Sequence, residues 1–246
     1  MRPPEPPEPG DWVFLAGATG QIGTAVAEVL AKQRVNLVVH DSGRTSGADK
    51  LAGQLRALYG VQAVSITADI TDAEQLSRMR AELVTRGVAS LRAVLNSTTG
   101  YPGWPVELTQ LSEVEFRRVV DVDLVGSFLL VRSLLPLLVE RPGARVVLFS
   151  SVAGLRGRPG AAHLCAAKAG IAGLVVALAK ELGPRGVAVN AVAPGPVIAD
   201  ESAEHEFPAG VAPSTAQQVA DAAVYLASDR SSPIQGQVLV VNGGQP

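Results

Sequence analysis

Apolar positions along the chain follow two patterns that alternate from Asp11 onward. Short runs rich in β-branched residues read as strands at 12–16 (WVFLA), 35–40 (VNLVVH), 61–68 (VQAVSITA), 91–96 (LRAVLN), 144–150 (ARVVLFS), 187–193 (VAVNAVA) and 237–242 (QVLVVN). Between them, stretches with a helical apolar period predict helices at 21–33, 46–58, 72–86, 112–140, 161–182 and 215–228. The strands are apolar almost throughout rather than on alternate positions, which implies burial on both faces. The pattern therefore predicts an α/β fold, a doubly wound parallel sheet of seven strands with helices on both sides, in a single domain over 11–246.

Local signals fix several helix ends. Asp72 with Glu74, and Ser112 with Glu115, suit helix starts, and Gly183-Pro184 suits a stop. Five prolines within residues 1–10 make that segment an extended leader outside the fold. The irregular stretch after Gly195 follows the sixth strand, at the end of a parallel sheet where ligands bind.

Composition narrows the functions. With 21 basic and 23 acidic residues the net charge is −2, and no basic run offers successive contacts to phosphates, so nucleic acid is not an expected partner. One cysteine, Cys165, and three histidines leave no cysteine-based metal site and suit a reducing cytoplasm. The leader has no apolar signal core, and the run AGIAGLVVALA is short for a membrane span, so no membrane partner is expected.

The first strand runs into a glycine loop and then a helix, in WVFLAGATGQIGTAVAEVL. Gly17, Gly20 and Gly23 allow a tight turn and close approach of a diphosphate, with Thr19, Gln21 and Ile22 completing the loop at the helix N-terminus. Asp41 ends the second strand, where a carboxylate accepts hydrogen bonds from an adenosine ribose diol and disfavours a 2′-phosphate. That favours NAD; Arg44, three residues on, keeps NADP open.

Several further motifs occur in order: ADIT with Asp69 and Ile70, LNSTTG with Asn96, FSSVAG with Ser151, Lys168 in the fifth helix, VNAVAPG with Pro194 and Gly195, and a closing VLVVNGG. With these the chain resembles, from Trp12 to its end, the short-chain dehydrogenase/reductase superfamily, in particular its ketoacyl-reductase-like branch. The resemblance implies a Rossmann-like sheet, a nicotinamide coenzyme, a small carbonyl or alcohol substrate, and homodimers or homotetramers. It implies that Asp69 and Ile70 contact adenine, that Asn96 opens the fourth-strand motif, and that Ser151 polarises the substrate carbonyl. Lys168 would hold the nicotinamide ribose, with Pro194 and Gly195 beside the coenzyme.

The departures are as specific as the matches. Leu164 stands where the resemblance places the catalytic tyrosine, thirteen residues after Ser151, and Asp123 stands in place of the active-site asparagine. Gln21 replaces the middle glycine, Ala199 a common threonine, and the loop after Gly195 is shorter. Leu164 and Lys168 are four apart and share a helix face, so the leucine lines the pocket that the lysine serves. Asp123 would pair with Lys168, a pair suited to relaying protons through water. His163, Cys165, Tyr101 and His205 are the conceivable substitute donors. Three functions remain open at this level: an oxidoreductase with a rebuilt proton-delivery site, a non-redox enzyme such as a dehydratase, lyase, isomerase or cyclase using Ser151, Asp123 and Lys168, or a catalytically silent binding subunit.

Overall fold

The computed structural model describes residues 10–43, 47–139, 141–198 and 213–244. Seven parallel strands form one sheet in the order β3-β2-β1-β4-β5-β6-β9: β1 (Trp12–Ala16), β2 (Asn36–Asp41), β3 (Ala63–Thr67), β4 (Ala93–Asn96), β5 (Arg145–Phe149), β6 (Ala188–Pro194) and β9 (Val238–Val241). A minor pair, β7 (Val197–Ile198) with β8 (Ser214–Thr215), brackets the loop after Gly195. Strand order reverses between β1 and β4, which opens a crevice at the carboxyl ends of the strands.

Strand alternation sorts the core into two layers. Val13 and Leu15 of β1 face α1 (Gln21–Lys32), α2 (Gly47–Tyr59) and α8 (Ala216–Ala227). Phe14 and Ala16 face α3 (Ala73–Thr85), α5 (Gly126–Val139) and α7 (Ala162–Leu182). Burial on both sides explains the unbroken apolar strands read from the sequence. Segments 113–139 and 162–185 are long and apolar enough to cross a membrane, unlike the short run noted in the sequence. Of their apolar residues, Leu130, Leu134, Ile171 and Val175 pack into the second layer.

The helix starts follow the sequence signals. Asp72 accepts from the N–H groups of Glu74 and Gln75, and Ser112 and Thr215 form capping boxes with Glu115 and Gln218. The stretch at 112–140, which the apolar period reads as one helix, is instead three pieces: α4 (Glu113–Val120), a π-helical turn over Asp121–Val125, and α5. Gly100 presses on this junction, where an added Cβ would lie 3.1 Å from both the Arg118 carbonyl and the Val122 side chain. One short helix, α6 (Val152–Arg156), was not legible in the sequence. The leader lies outside the described residues except for Gly10, whose N–H donates to the Arg34 carbonyl.

Candidate active site

The glycine loop joins β1 to α1. Gly17 has φ +69°, and a Cβ there would sit 2.8 Å from the Thr98 nitrogen. A Cβ on Gly23 would come within 2.1 Å of the Gly17 carbonyl oxygen. Two backbones thus meet where only glycine fits. Gly20 is the N-cap of α1 and supplies no side-chain acceptor, so the first N–H groups of that helix, from Gln21, Ile22 and Gly23, are left without a side-chain cap. This end of α1 suits an anionic diphosphate. Thr19 lies exposed in the loop, Ile22 packs on the first core layer, and the Gln21 side chain donates to the Ile198 carbonyl at 2.7 Å.

Below the loop is a cavity of about 260 Å³ lined by Gly17, Gly20, Asp69, Ile70, Ser97 and Thr99, among others. Asp69 accepts from the N–H and hydroxyl of Thr71, which fixes its carboxylate beside the cavity. His40 and Ser42 also line it, whereas Asp41, expected at the ribose, does not. Alternation along β2 turns the Asp41 carboxylate to the other side, where it accepts from the N–H groups of Gly43 and Ala48 and joins the β2–α2 turn. Asn96 is likewise a positioning residue: it donates to the Ser127 hydroxyl and accepts from the N–H and hydroxyl of Thr98, so Ser97, Thr98 and Thr99 reach the cavity in its stead. The His40 ring is buried and its pKa is lowered to about 4, chiefly by desolvation. The nitrogen Nε2 lies 3.0 Å from the Ala68 carbonyl, so it carries the proton of the neutral ring.

On the other side of the crevice stand Ser151, Asp123 and Lys168. The π-turn carries Asp123, fully buried, to 2.9 Å from Nζ of Lys168. Its carboxylate also accepts from the Thr99 hydroxyl at 2.9 Å and the Gly100 N–H at 2.6 Å. Lys168 donates in addition to the Phe149 carbonyl at 2.9 Å. The ion pair read from the sequence is therefore present, and Thr99 and Gly100, which no spacing rule could name, complete it. π-turns add one residue to a helix and often occur at functional sites. Ser151 caps α6, accepting from the Ala153 N–H at 3.1 Å and lying 3.4 Å from the Pro194 carbonyl. Gly195 donates to the Val241 carbonyl and lines a second cavity together with Ser151.

Leu164 is buried on the head of α7. Of the substitute donors, Cys165 turns away and engages the Arg158 carbonyl at 3.9 Å. His163 is buried edge-on against Tyr101, with ring centroids 5.3 Å apart. Nδ1 of His163 and the Tyr101 hydroxyl are both buried without a hydrogen-bond partner. Burial lowers the His163 pKa, against the opposing pull of Glu115 and Asp123. Arg44, Ala199 and His205 lie outside the described residues. Among the described residues no cluster of His, Cys, Asp or Glu could hold a metal ion.

Residues 17–245 match the family described as enoyl-(acyl carrier protein) reductase. The chain belongs to the short-chain dehydrogenase/reductase family. An uncharacterised oxidoreductase of Bacillus subtilis, YmfI, is 32% identical over 94% of this chain and 97% of its own length. The 3-oxoacyl-[acyl-carrier-protein] reductase FabG of Staphylococcus aureus (strain Mu50) is 31% identical over 94% of this chain and 96% of its own. FabG of Rickettsia bellii is 29% identical over 96% of both. Within this oxidoreductase family the chain carries the glycine loop, the crevice, Ser151 and Lys168, with Leu164 and Asp123 near Lys168.

Proposed function

We propose that the protein binds NAD(H) in the crevice and interconverts a carbonyl and an alcohol at the Ser151 side, with the proton taken from water rather than from a side chain on α7. The observation that carries this reading is the cavity under the glycine loop, lined by Gly17, Gly20, Asp69 and Ile70 among others. The nicotinamide coenzyme supplies the hydride when bound. The uncapped start of α1 would hold its diphosphate, Asp69 and Ile70 its adenine side, and Pro194 and Gly195 would lie beside its other end. The Ser151 hydroxyl would donate to the substrate carbonyl oxygen. Leu164 has no proton to give, so this oxygen is protonated less efficiently than by a placed acid, a difference of ~10²–10⁴ in rate.

Preference for NAD over NADP is supported by the neutral His40 ring, which lines the cavity and offers a 2′-phosphate no cation. A homo-oligomer is supported by apolar side chains on the outer faces of α7 and of the π-turn and α5, where Val125, Phe128 and Val176 are 39%, 41% and 45% exposed. We infer a cytoplasmic setting from the cysteine usage.

The second reading, a silent binding subunit, is favoured by the internal partners of Lys168: with Asp123 and Phe149 on its ammonium, its field at position 164 is largely cancelled. Fluorescence titration with NADH and NADPH, followed by a panel of carbonyl substrates, separates the two. Saturable NADH binding with slow turnover is expected. Failure of both coenzymes to bind at millimolar concentration overturns the proposal, and binding without any turnover selects the silent subunit.

A further inference from the structure

Gln21, the departure within the glycine loop, opens α1 one residue after its N-cap Gly20. The side chain is exposed, yet its Nε2 donates at 2.7 Å to the carbonyl of Ile198, 177 residues further along the chain. α1 follows β1, and Ile198 follows β6, which stands three strands away in the order β1-β4-β5-β6, about 14 Å at the usual strand spacing. The steps from Pro194 to Ile198, ~13 Å when extended, cover that gap. Gly195 and Pro196 pass beside Ser151, just beyond β5, and Ile198 arrives at the start of α1. The segment is tied down elsewhere as well. Gly195 donates to the Val241 carbonyl of β9 at 2.9 Å, Ser214 donates to the Pro196 carbonyl at 3.1 Å, and Val197 and Ile198 pair with Ser214 and Thr215 of β8. Thr215 caps α8, which packs on α1 within the first core layer. A ring therefore closes from α1 through Gln21, β7, β8 and α8 back to α1. Among the described residues, the Gln21 amide is the one side-chain hydrogen bond from the glycine loop to this segment.

We infer that Gln21 is a strap across the coenzyme crevice, and that it sets how fast the dinucleotide enters and leaves. A dinucleotide that places its diphosphate at the start of α1 and runs toward Ser151 passes under the segment from Pro194 to Ile198, and the Gln21–Ile198 bond closes the rim above it. A glycine at position 21 has no side chain to make this bond. One exposed, neutral hydrogen bond adds little to the stability of the fold. Its effect falls instead on the fraction of time for which the rim stands open. The bond takes nothing from the coenzyme, so entry and exit are slowed by the same factor and Kd is unchanged. The inference rests on the oxidoreductase reading for what passes beneath the strap, and not for the strap itself.

The test compares the full-length parent with Gln21→Met, which keeps the length of the side chain and removes its donor, and with Gln21→Lys, which restores one. Stopped-flow NADH fluorescence should show association and dissociation both ~2- to 12-fold faster in Gln21→Met, the range for one neutral hydrogen bond, with Kd and the melting curve those of the parent. Hydrogen exchange of the amides at 195, 197 and 198, followed by NMR without coenzyme, should accelerate over the same range in Gln21→Met and return to the parent's rates in Gln21→Lys. Parental exchange in Gln21→Met, or parental NADH rates, overturns the inference. Faster dissociation with association unchanged, so that Kd rises in step, overturns it too, because Gln21 would then touch the coenzyme rather than close over it. Absence of NADH binding by the parent strikes the oxidoreductase reading alone, since the exchange comparison is made without coenzyme and still decides the strap.

Discussion

The two halves of the crevice differ in how far they can change. On the β1–β3 side the glycine loop over the cavity is set by backbone: Gly17 and Gly23 lie against neighbouring backbone, and α1 starts without a side-chain cap. On the β4–β6 side the geometry is set by side chains: Asp123, Lys168, Ser151 and Leu164. Such a loop tolerates almost no substitution, because an added Cβ at Gly17 or Gly23 runs into backbone. Side-chain chemistry can be rewritten one residue at a time on an unchanged frame. Leu164 and Asp123 lie in the second half, whereas Gln21, also read from the sequence as a departure, lies in the first, where its side chain reaches the Ile198 carbonyl.

The sharpest way to test the comparison is to write the side-chain half back. Leu164→Tyr alone should raise carbonyl reduction modestly, since the Lys168 ammonium below it faces the Asp123 carboxylate at 2.9 Å. Leu164→Tyr with Asp123→Asn should raise it by up to ~10²–10⁴ over the parent, the worth of a positioned donor. Steady-state kinetics of the four variants form a double-mutant cycle, and additivity of the two changes would show that Asp123 does not restrain Lys168.

Next in size is the pair's structural role. Asp123 is fully buried and Lys168 nearly so. Removing only the acid, in Asp123→Ala, leaves a buried ammonium with the Phe149 carbonyl alone and should cost about 3–5 kcal/mol in urea unfolding. A cost below about 1 kcal/mol would place the pair among weakly coupled surface bridges.

On the backbone-built side a smaller effect is tied to pH. Folding lowers the His40 pKa from 6.5 to about 4 through desolvation. As pH falls through 6.5 the unfolded chain takes up this proton first, so the stability contribution is present above 6.5, is lost down to about 4, and is constant below. The loss amounts to about 3 kcal/mol. Urea unfolding at pH 7 and pH 4.5 should show a steeper fall for the parent than for His40→Gln, and equal slopes would remove His40 as the source.

The same division explains what the sequence could show. The seven strands of the main sheet, most of the helices and the glycine loop were legible because period and glycine spacing report backbone directly. Lys168 and Asp123 were legible as a pair because the family pattern placed both at one site. What escaped depends on rotation about an axis that no spacing rule supplies. Asp41 was expected at the ribose, but alternation along β2 sends His40 and Ser42 to the cavity and leaves Asp41 to the turn. The π-turn that buries Asp123 sits inside what reads as one continuous amphipathic helix.

The smallest expected effect bears most directly on the claim that backbone rather than side chain builds the coenzyme half. In Gly23→Ala the new methyl must move the Gly17 carbonyl, which lies 2.1 Å from its ideal position, and no flexible side chain can yield in its place. Strain of this kind costs about 1–3 kcal/mol, or roughly 2–12 °C in Tm for a chain of this size. Gly173→Ala is the matched control: it lies within α7, nothing is within 4 Å of its added Cβ, and the change should stabilise by about 0.5–1 kcal/mol. The two substitutions add the same methyl group, so the sign of the difference is decided by surroundings alone. Gly23→Ala should also weaken NADH binding in the fluorescence titration, because the displaced Gly17 carbonyl belongs to the wall of the cavity. If Gly23→Ala melts with the parent and binds NADH equally well, the loop relaxes freely, and the contrast between a rigid backbone-built half and a rewritable side-chain half does not hold.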